Sequence, residues 1–138
     1  MSTPARPAPV ATEATRPFWE ATRLHRLVIQ HCTGCQRPQF YPRVFCRHCM
    51  CDALEWRDCT GRGRIYTFTI NHRAANAHMA DKLPYAVAMV TLDEGVRMMG
   101  NVIGNLGALR IDAPVVVRFL DMDEHHSLPQ FELVDETK

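Results

Sequence analysis

The chain has 138 residues, 46% of them hydrophobic and 22% charged, which is room for one compact domain or a small domain plus a metal-stapled module. Sixteen Lys and Arg against fifteen Asp and Glu leave a net charge of +1, without the basic excess that duplex DNA or an anionic membrane surface demands. No run approaches the ~18 apolar residues that cross a bilayer, and the N-terminus lacks the apolar core of about 7–15 residues that a secretory signal needs. No membrane partner is expected. A reducing cytoplasm is the expected location, so the six cysteines read first as metal ligands or thiols, not disulfides.

Residues 1–15 hold Pro4, Pro7 and Pro9 and almost no large apolar side chains, so a disordered tail is expected. Pro17 suits the first turn of a short helix running through Phe18, Trp19 and Glu20 to about Arg23. Phe18 and Trp19 would anchor it, either on the chain's own core or on a partner. From Leu24 to Gln30 the pattern turns strand-like, with Leu27 and Ile29 alternating with Arg26 and Gln30. The cysteine-rich region spans Cys32 to Cys51, a short strand follows at Leu54 to Arg57, and Gly61-Arg62-Gly63 reads as a turn.

Beyond that turn come several short strands. Ile65 to Ile70 places Tyr66, Phe68 and Ile70 on one face, and Tyr85 to Leu92 is apolar on both faces, as a central strand is. Asp93-Glu94-Gly95 joins it to a return strand from Val96 to Ile103. Pro114 opens a run through Leu120, and Pro129 to Val134 adds a short last strand. Strands so short and closely spaced predict a mainly β fold, a small sandwich or barrel. The expected units are a helix and lead-in strand at 16–30, a metal ribbon at 31–58 and a β domain at 59–138. Two long loops, Asn71 to Pro84 and Gly104 to Pro114, are candidates for ligand or partner contact.

Cys32-Thr-Gly-Cys35, ten residues, then Cys46-Arg-His-Cys49 is the spacing of a four-thiolate zinc ribbon. Each C-x-x-C pair closes a knuckle with both sulfurs facing one point, and Gly34 lies where the backbone bends around sulfur. Four thiolates leave no open coordination position, so the metal is structural and activates no water. Iron of rubredoxin type would use the same donors. Cys51 or His48 could stand in for Cys49, and Cys59 reads as a small buried hydrophobe.

A catalytic set is not legible. There is no G-x-S-x-G elbow, Walker loop or H-E-x-x-H helix. Asp93-Glu94 and Asp121, Asp123 and Glu124 fall in expected turns. His125-His126, His72 and His78 lack a third partner at useful spacing and read as loop side chains.

Taken together, the aromatic Phe18-Trp19-Glu20 helix, the four-cysteine ribbon with Tyr41-Pro42-Arg43 between its knuckles and Gly61 through Thr67 resemble the DUF35 family. The match extends over Pro84 through Val90, Leu92-Asp93-Glu94-Gly95, Gly100-Asn101-Val102, Leu109 through Phe119 and Leu128-Pro129-Gln130-Phe131. The resemblance covers roughly residues 17–134, and the order of the pieces carries it. One departure is Asp112, at a turn position often Gly in relatives. The resemblance implies a rubredoxin-like zinc ribbon followed by a C-terminal OB-fold barrel. It also implies a non-catalytic subunit of a hetero-oligomer that works beside thiolase-like, retro-aldol or MaoC-like enoyl-CoA hydratase enzymes and helps to bind acyl-CoA. A CoA site wants a few cations and an apolar groove, and Arg43, Arg64, Arg73, Lys82 and Arg97 are the cations near expected turns and loops. The competing class is single-stranded nucleic acid, which ribbons and OB-folds also bind. Only 8% aromatic residues and a near-zero net charge weigh against it.

Overall fold

In the computed structural model, which describes residues 6–74 and 76–134, helix α1 runs from Arg16 to Arg23 with proline in its first turn. Its C-terminus is closed as a Schellman motif: the Arg26 N–H donates to the Ala21 carbonyl and the His25 N–H to Thr22. His25 takes the left-handed position, at φ +56°, where glycine is usual. Its ring then stacks on Phe119 at 5.2 Å and hydrogen-bonds Asp121 at 2.8 Å, tying the helix end to the β domain. Phe18 is 1% exposed, so the helix docks on the chain's own core. Of the expected tail, residues 1–5 lie outside the described residues. The rest contains a hydrogen-bonded Thr12–Thr15 turn and an Arg6 guanidinium that donates to Asn101 Oδ1 at 2.8 Å.

Strands β1 (Val28–Cys32), β2 (Pro38–Gln39) and β3 (Leu54–Asp58) form an antiparallel sheet in the order β2-β1-β3. The expected boundary at residue 30 falls inside β1, because Val28 to Gln30 pair with Trp56 to Asp58 as part of the ribbon.

The second unit is a closed five-stranded barrel of β4 (Arg62–Asn71), β5 (Tyr85–Leu92), β6 (Arg97–Ile103), β7 (Pro114–Asp121) and β8 (Ser127–Leu133). Its order is β4-β5-β6-β8-β7, with β7 returning to β4 and the β6–β8 pair parallel, which is the Greek-key closure of an OB-fold. The last strand, expected to be short, is a full seven-residue strand that pairs on both sides and closes the ring.

Two local readings change. Gly61-Arg62-Gly63 is more than a turn. Gly61 bends at φ +82°, while Gly63 already pairs with Leu92 of β5 and Val115 of β7 at once. A Cβ on Gly63 would lie 2.6 Å from the Thr91 carbonyl oxygen, so the barrel closes through a point where backbones touch. Tyr66 does not share a face with Phe68 and Ile70. The register shifts between Ile65 and Thr67, and this bulge turns Tyr66 outward, 50% exposed, while Ile65 is fully buried.

One apolar core unites the parts. Phe18 and Ala21 of the helix and Leu27 to Ile29 of the ribbon belong to the same buried cluster as Ile65, Val90, Leu92, Val115 and Phe131 of the barrel. The long loop from Asn71 to Pro84 contains a 3-10 helix, Ala77–Lys82, held by buried Met79.

Candidate functional site: a four-thiol ribbon beside an aromatic groove

The two knuckles converge as the spacing requires. The Sγ atoms of Cys32, Cys35, Cys46 and Cys49 all lie within 4.8 Å of one another. Cys32–Cys49 and Cys35–Cys46 are both separated by 3.6 Å. A zinc–sulfur bond near 2.3 Å puts tetrahedral sulfurs about 3.8 Å apart, so the cage has the right size for the ion. Backbone N–H groups aim at the sulfurs, from Cys35 to Cys32 Sγ at 3.5 Å and from His48 to Cys46 Sγ at 3.3 Å. The Cys35 N–H and the Cys51 thiol pull the Cys32 pKa down to about 6, whereas Cys35, chiefly through burial, and Cys49 are held above the usual thiol range. Among the described residues this is the one grouping of donor side chains that could hold a metal.

A pair of buried glutamines, which the sequence reading missed, sets the second knuckle opposite the first. Gln30 was read as the polar face of a strand, yet it is 4% exposed, and Gln39 is 1% exposed. Gln39 Nε2 donates to Gln30 Oε1 at 2.7 Å, and Gln30 Oε1 also accepts the Arg43 N–H at 2.8 Å. Gln30 Nε2 donates to the Arg43 carbonyl, and Gln39 Oε1 accepts the Arg47 N–H, each at 2.8 Å. The loop that carries Cys46 is therefore hung from β1 and β2 by side-chain amides that satisfy its backbone.

Cys59 packs half-buried against the core. Burial, with the Glu94 carboxylate beside it, pushes its thiol up to about 12 and leaves it a neutral apolar group. In the loop after β7, Asp123 accepts the His125 N–H at 2.7 Å and contacts His126 Nδ1 at 2.9 Å, and these bonds hold its carboxyl below the usual range. That His pair closes a solvent-exposed turn.

Beside the ribbon, a cavity of about 470 Å³ opens between helix, ribbon and barrel, walled chiefly by Trp19, Phe40, Tyr41, Met89 and Met99. Trp19 stands edge-on to Phe18 at 4.9 Å, and its buried Nε1–H has no hydrogen-bond partner among the described residues. Arg97 reaches this cavity from β6, with its guanidinium 3.6 Å above the Tyr66 ring. A second cavity of about 330 Å³ is lined by Lys82, and Arg6, Asn101 and Gln130 line both.

The five cations singled out in the sequence therefore part company. Arg97 and Lys82 flank the two adjoining cavities. Arg64 donates to the Asp112 carbonyl at 2.9 Å and lines a separate hollow with Arg62 and Pro114, Arg43 contributes its backbone to the glutamine clamp, and Arg73 is exposed in the long loop. Arg6 was missed because a proline-rich N-terminal segment gives no periodicity to place it.

The ChsH2 rubredoxin-like zinc ribbon domain matches residues 19–55, and the ChsH2 C-terminal OB-fold domain matches residues 56–120. A solved structure described as "Ltp2-ChsH2(DUF35) aldolase" superposes with a TM-score of 0.81 at 31% identity, covering 91% of this chain and 98% of that one. A probable enoyl-CoA hydratase alpha subunit of Thermomonospora curvata is 33% identical over 129 residues, 91% of this chain, but the chain spans only 39% of that relative's length. A DUF35 domain-containing scaffold protein of Methanothermobacter thermautotrophicus is 28% identical over 93 residues, 67% of this chain and 69% of its own length. Ribbon, barrel and their order agree throughout: the chain belongs to the DUF35 family, with a ChsH2-type rubredoxin-like zinc ribbon followed by an OB-fold.

Proposed function

We propose that this chain is a non-catalytic, zinc-braced accessory subunit that binds acyl-CoA and bridges a thiolase-like, retro-aldolase or MaoC-like hydratase partner in acyl-CoA metabolism of lipid or steroid type. The observation that carries the acyl-CoA part is the pair of adjoining cavities, one aromatic and methionine-rich, with Arg97, Arg6 and Lys82 on their rims. An acyl-pantetheine arm needs apolar walls, and CoA phosphates need a few cations able to donate charge-assisted hydrogen bonds. The partnership is supported by relatives named as a hydratase alpha subunit, an aldolase complex and a scaffold protein. It is supported as well by apolar side chains exposed on the ribbon: Met50 at 70%, Val44 at 64% and Phe45 at 51%.

In this reading Cys32, Cys35, Cys46 and Cys49 are the zinc ligands and the site is closed. Zinc supplies a fixed tetrahedral cross-link and no reactive position. The chain's own residues do the rest: the glutamine clamp sets the loop that walls the groove through Phe40 and Tyr41, and Arg97 and Lys82 orient the CoA. Unpaired thiolate ligands suit a reducing cytoplasm.

Calorimetry with an acyl-CoA and the reconstituted complex tests the site. Each of Arg97→Ala and Lys82→Ala should weaken binding about 10-fold, the worth of a charge-assisted hydrogen bond, while Arg64→Ala, which lines neither cavity, should leave it unchanged. Equal affinity across all three variants would contradict the groove assignment.

A further inference from the structure

Cys51 stands outside the four-sulfur cage yet touches it closely. Its Sγ lies 3.2 Å from Cys32 Sγ and 3.3 Å from Cys49 Sγ, against 3.6 Å for the Cys32–Cys49 and Cys35–Cys46 pairs. The backbone holds it there. The Cys51 carbonyl accepts the Cys46 N–H at 2.8 Å, so Cys51 is anchored to the same knuckle as a buried ligand. Met50 takes φ +67° to turn the chain back on itself at this point. Gly34 leaves the space: a Cβ there would meet Cys51 Sγ at 2.9 Å. Five sulfurs thus crowd a place where a tetrahedral ion uses four.

The four members of the cage are unequal. Cys32 and Cys46 are wholly buried, whereas Cys49 is exposed and is the sulfur most open to solvent. Cys51, two residues on, is half-buried and already in contact with the cage. We propose that Cys51 is a reserve zinc ligand that takes the coordination position of Cys49 when that sulfur is removed or capped. The inference rests on the structural-zinc reading above. Cys51 reaches only two of the four sulfurs as it stands, so the exchange requires its Sγ to move toward Cys35 and Cys46, with the Met50 turn as the pivot. As it binds, the Cys51 thiol gives its proton to solvent and its sulfur donates the electron pair that Cys49 no longer supplies. Zinc itself changes neither charge nor coordination number. The functional consequence is a brace that survives loss of its most exposed ligand.

The test compares the full chain with Cys49→Ser, Cys51→Ser and the double variant, each loaded with zinc and, separately, with Co(II). Wild type and both single variants should carry about one zinc per chain, and Co(II) in Cys49→Ser should retain the absorption of a four-thiolate tetrahedral site. The double variant should show a three-thiolate spectrum and bind zinc about 10-fold more weakly, or worse, than either single variant. A three-thiolate spectrum in Cys49→Ser with zinc loss equal to the double variant would overturn the proposal and leave the four-cysteine ribbon intact. So would failure of Cys49→Ser to fold while Cys51→Ser folds. A wild-type chain that binds no zinc would overturn the ribbon and the reserve ligand together.

Discussion

Chelation should release about one zinc per chain and unfold the ribbon while the barrel keeps most of its structure. The segment from β1 to β3 has little core of its own. Its buried apolar groups are Val28, Ile29, Pro42, Cys32 and Cys46, and the two cysteines point at the metal site. A module of this kind draws its stability from the metal, whose apparent binding free energy is roughly 10 kcal/mol or more in small zinc domains. Amide hydrogen exchange would show it as loss of protection across 28–58, with the central strand β5 still protected. Cys46→Ser should reproduce that pattern without chelator. Because thiolates must be deprotonated to bind, release should also become easier as pH falls. Ribbon amides that stay protected after complete zinc removal would show that the glutamine clamp and the shared core suffice without the ion.

The second large effect is expected from Phe18→Ala. Phe18 is among the largest fully buried side chains, and its ring meets Trp19 at 4.9 Å and Phe40 at 5.5 Å. It is the point at which helix, ribbon and barrel share one core. Truncation there should cost about 3–5 kcal/mol and lower Tm by on the order of 10 °C. Leu24→Ala, at the C-terminal end of the helix and 70% exposed, is the control and should shift Tm little. Since Phe18 also borders the groove, its loss should loosen Trp19 and alter the fluorescence of that indole. A small Tm change with unaltered fluorescence would mean that the helix is only laid against the surface.

What could be read from the sequence follows from which signals are local. The four cysteines were legible because knuckle geometry is fixed by a spacing of two residues and needs no distant partner. Pro17 and the aromatic pair Phe18-Trp19 marked the helix for the same reason, and apolar runs bounded by turn residues placed β5, β6 and β7. The closed barrel was harder. Strand runs alone left sandwich and barrel open, and the barrel entered through resemblance to a family. The misreadings fall where tertiary context overrides a local pattern. Gln30 looked like an exposed strand position, but its amide is needed by the Arg43 backbone thirteen residues away. Tyr66 looked inward until a bulge, invisible in composition, rotated it under Arg97. Gly63 looked like turn punctuation, although its lack of a side chain serves a three-strand junction. Asp112 occupies φ +67°, a left-handed backbone position that glycine adopts most easily.

The cation assignments were the least legible part. Charge on a predicted loop says nothing about which mouth of a barrel it faces. Of the five residues chosen, only Arg97 and Lys82 border the adjoining cavities, and Arg6 joins them from a segment expected to be without structure. The aromatic cavity arises from packing between units, with walls contributed by α1, the inter-knuckle loop and the barrel.

We propose that this chain works as the bridging subunit of an acyl-CoA enzyme. Size-exclusion chromatography with light scattering, on the zinc-loaded chain mixed with a thiolase-like or MaoC-like hydratase subunit encoded by the same organism, tests it most directly. A stable hetero-oligomer is expected, one that binds acyl-CoA more tightly than either component and dissociates when zinc is removed. Elution of the two proteins as separate species, with acyl-CoA affinity unchanged by mixing, would contradict it.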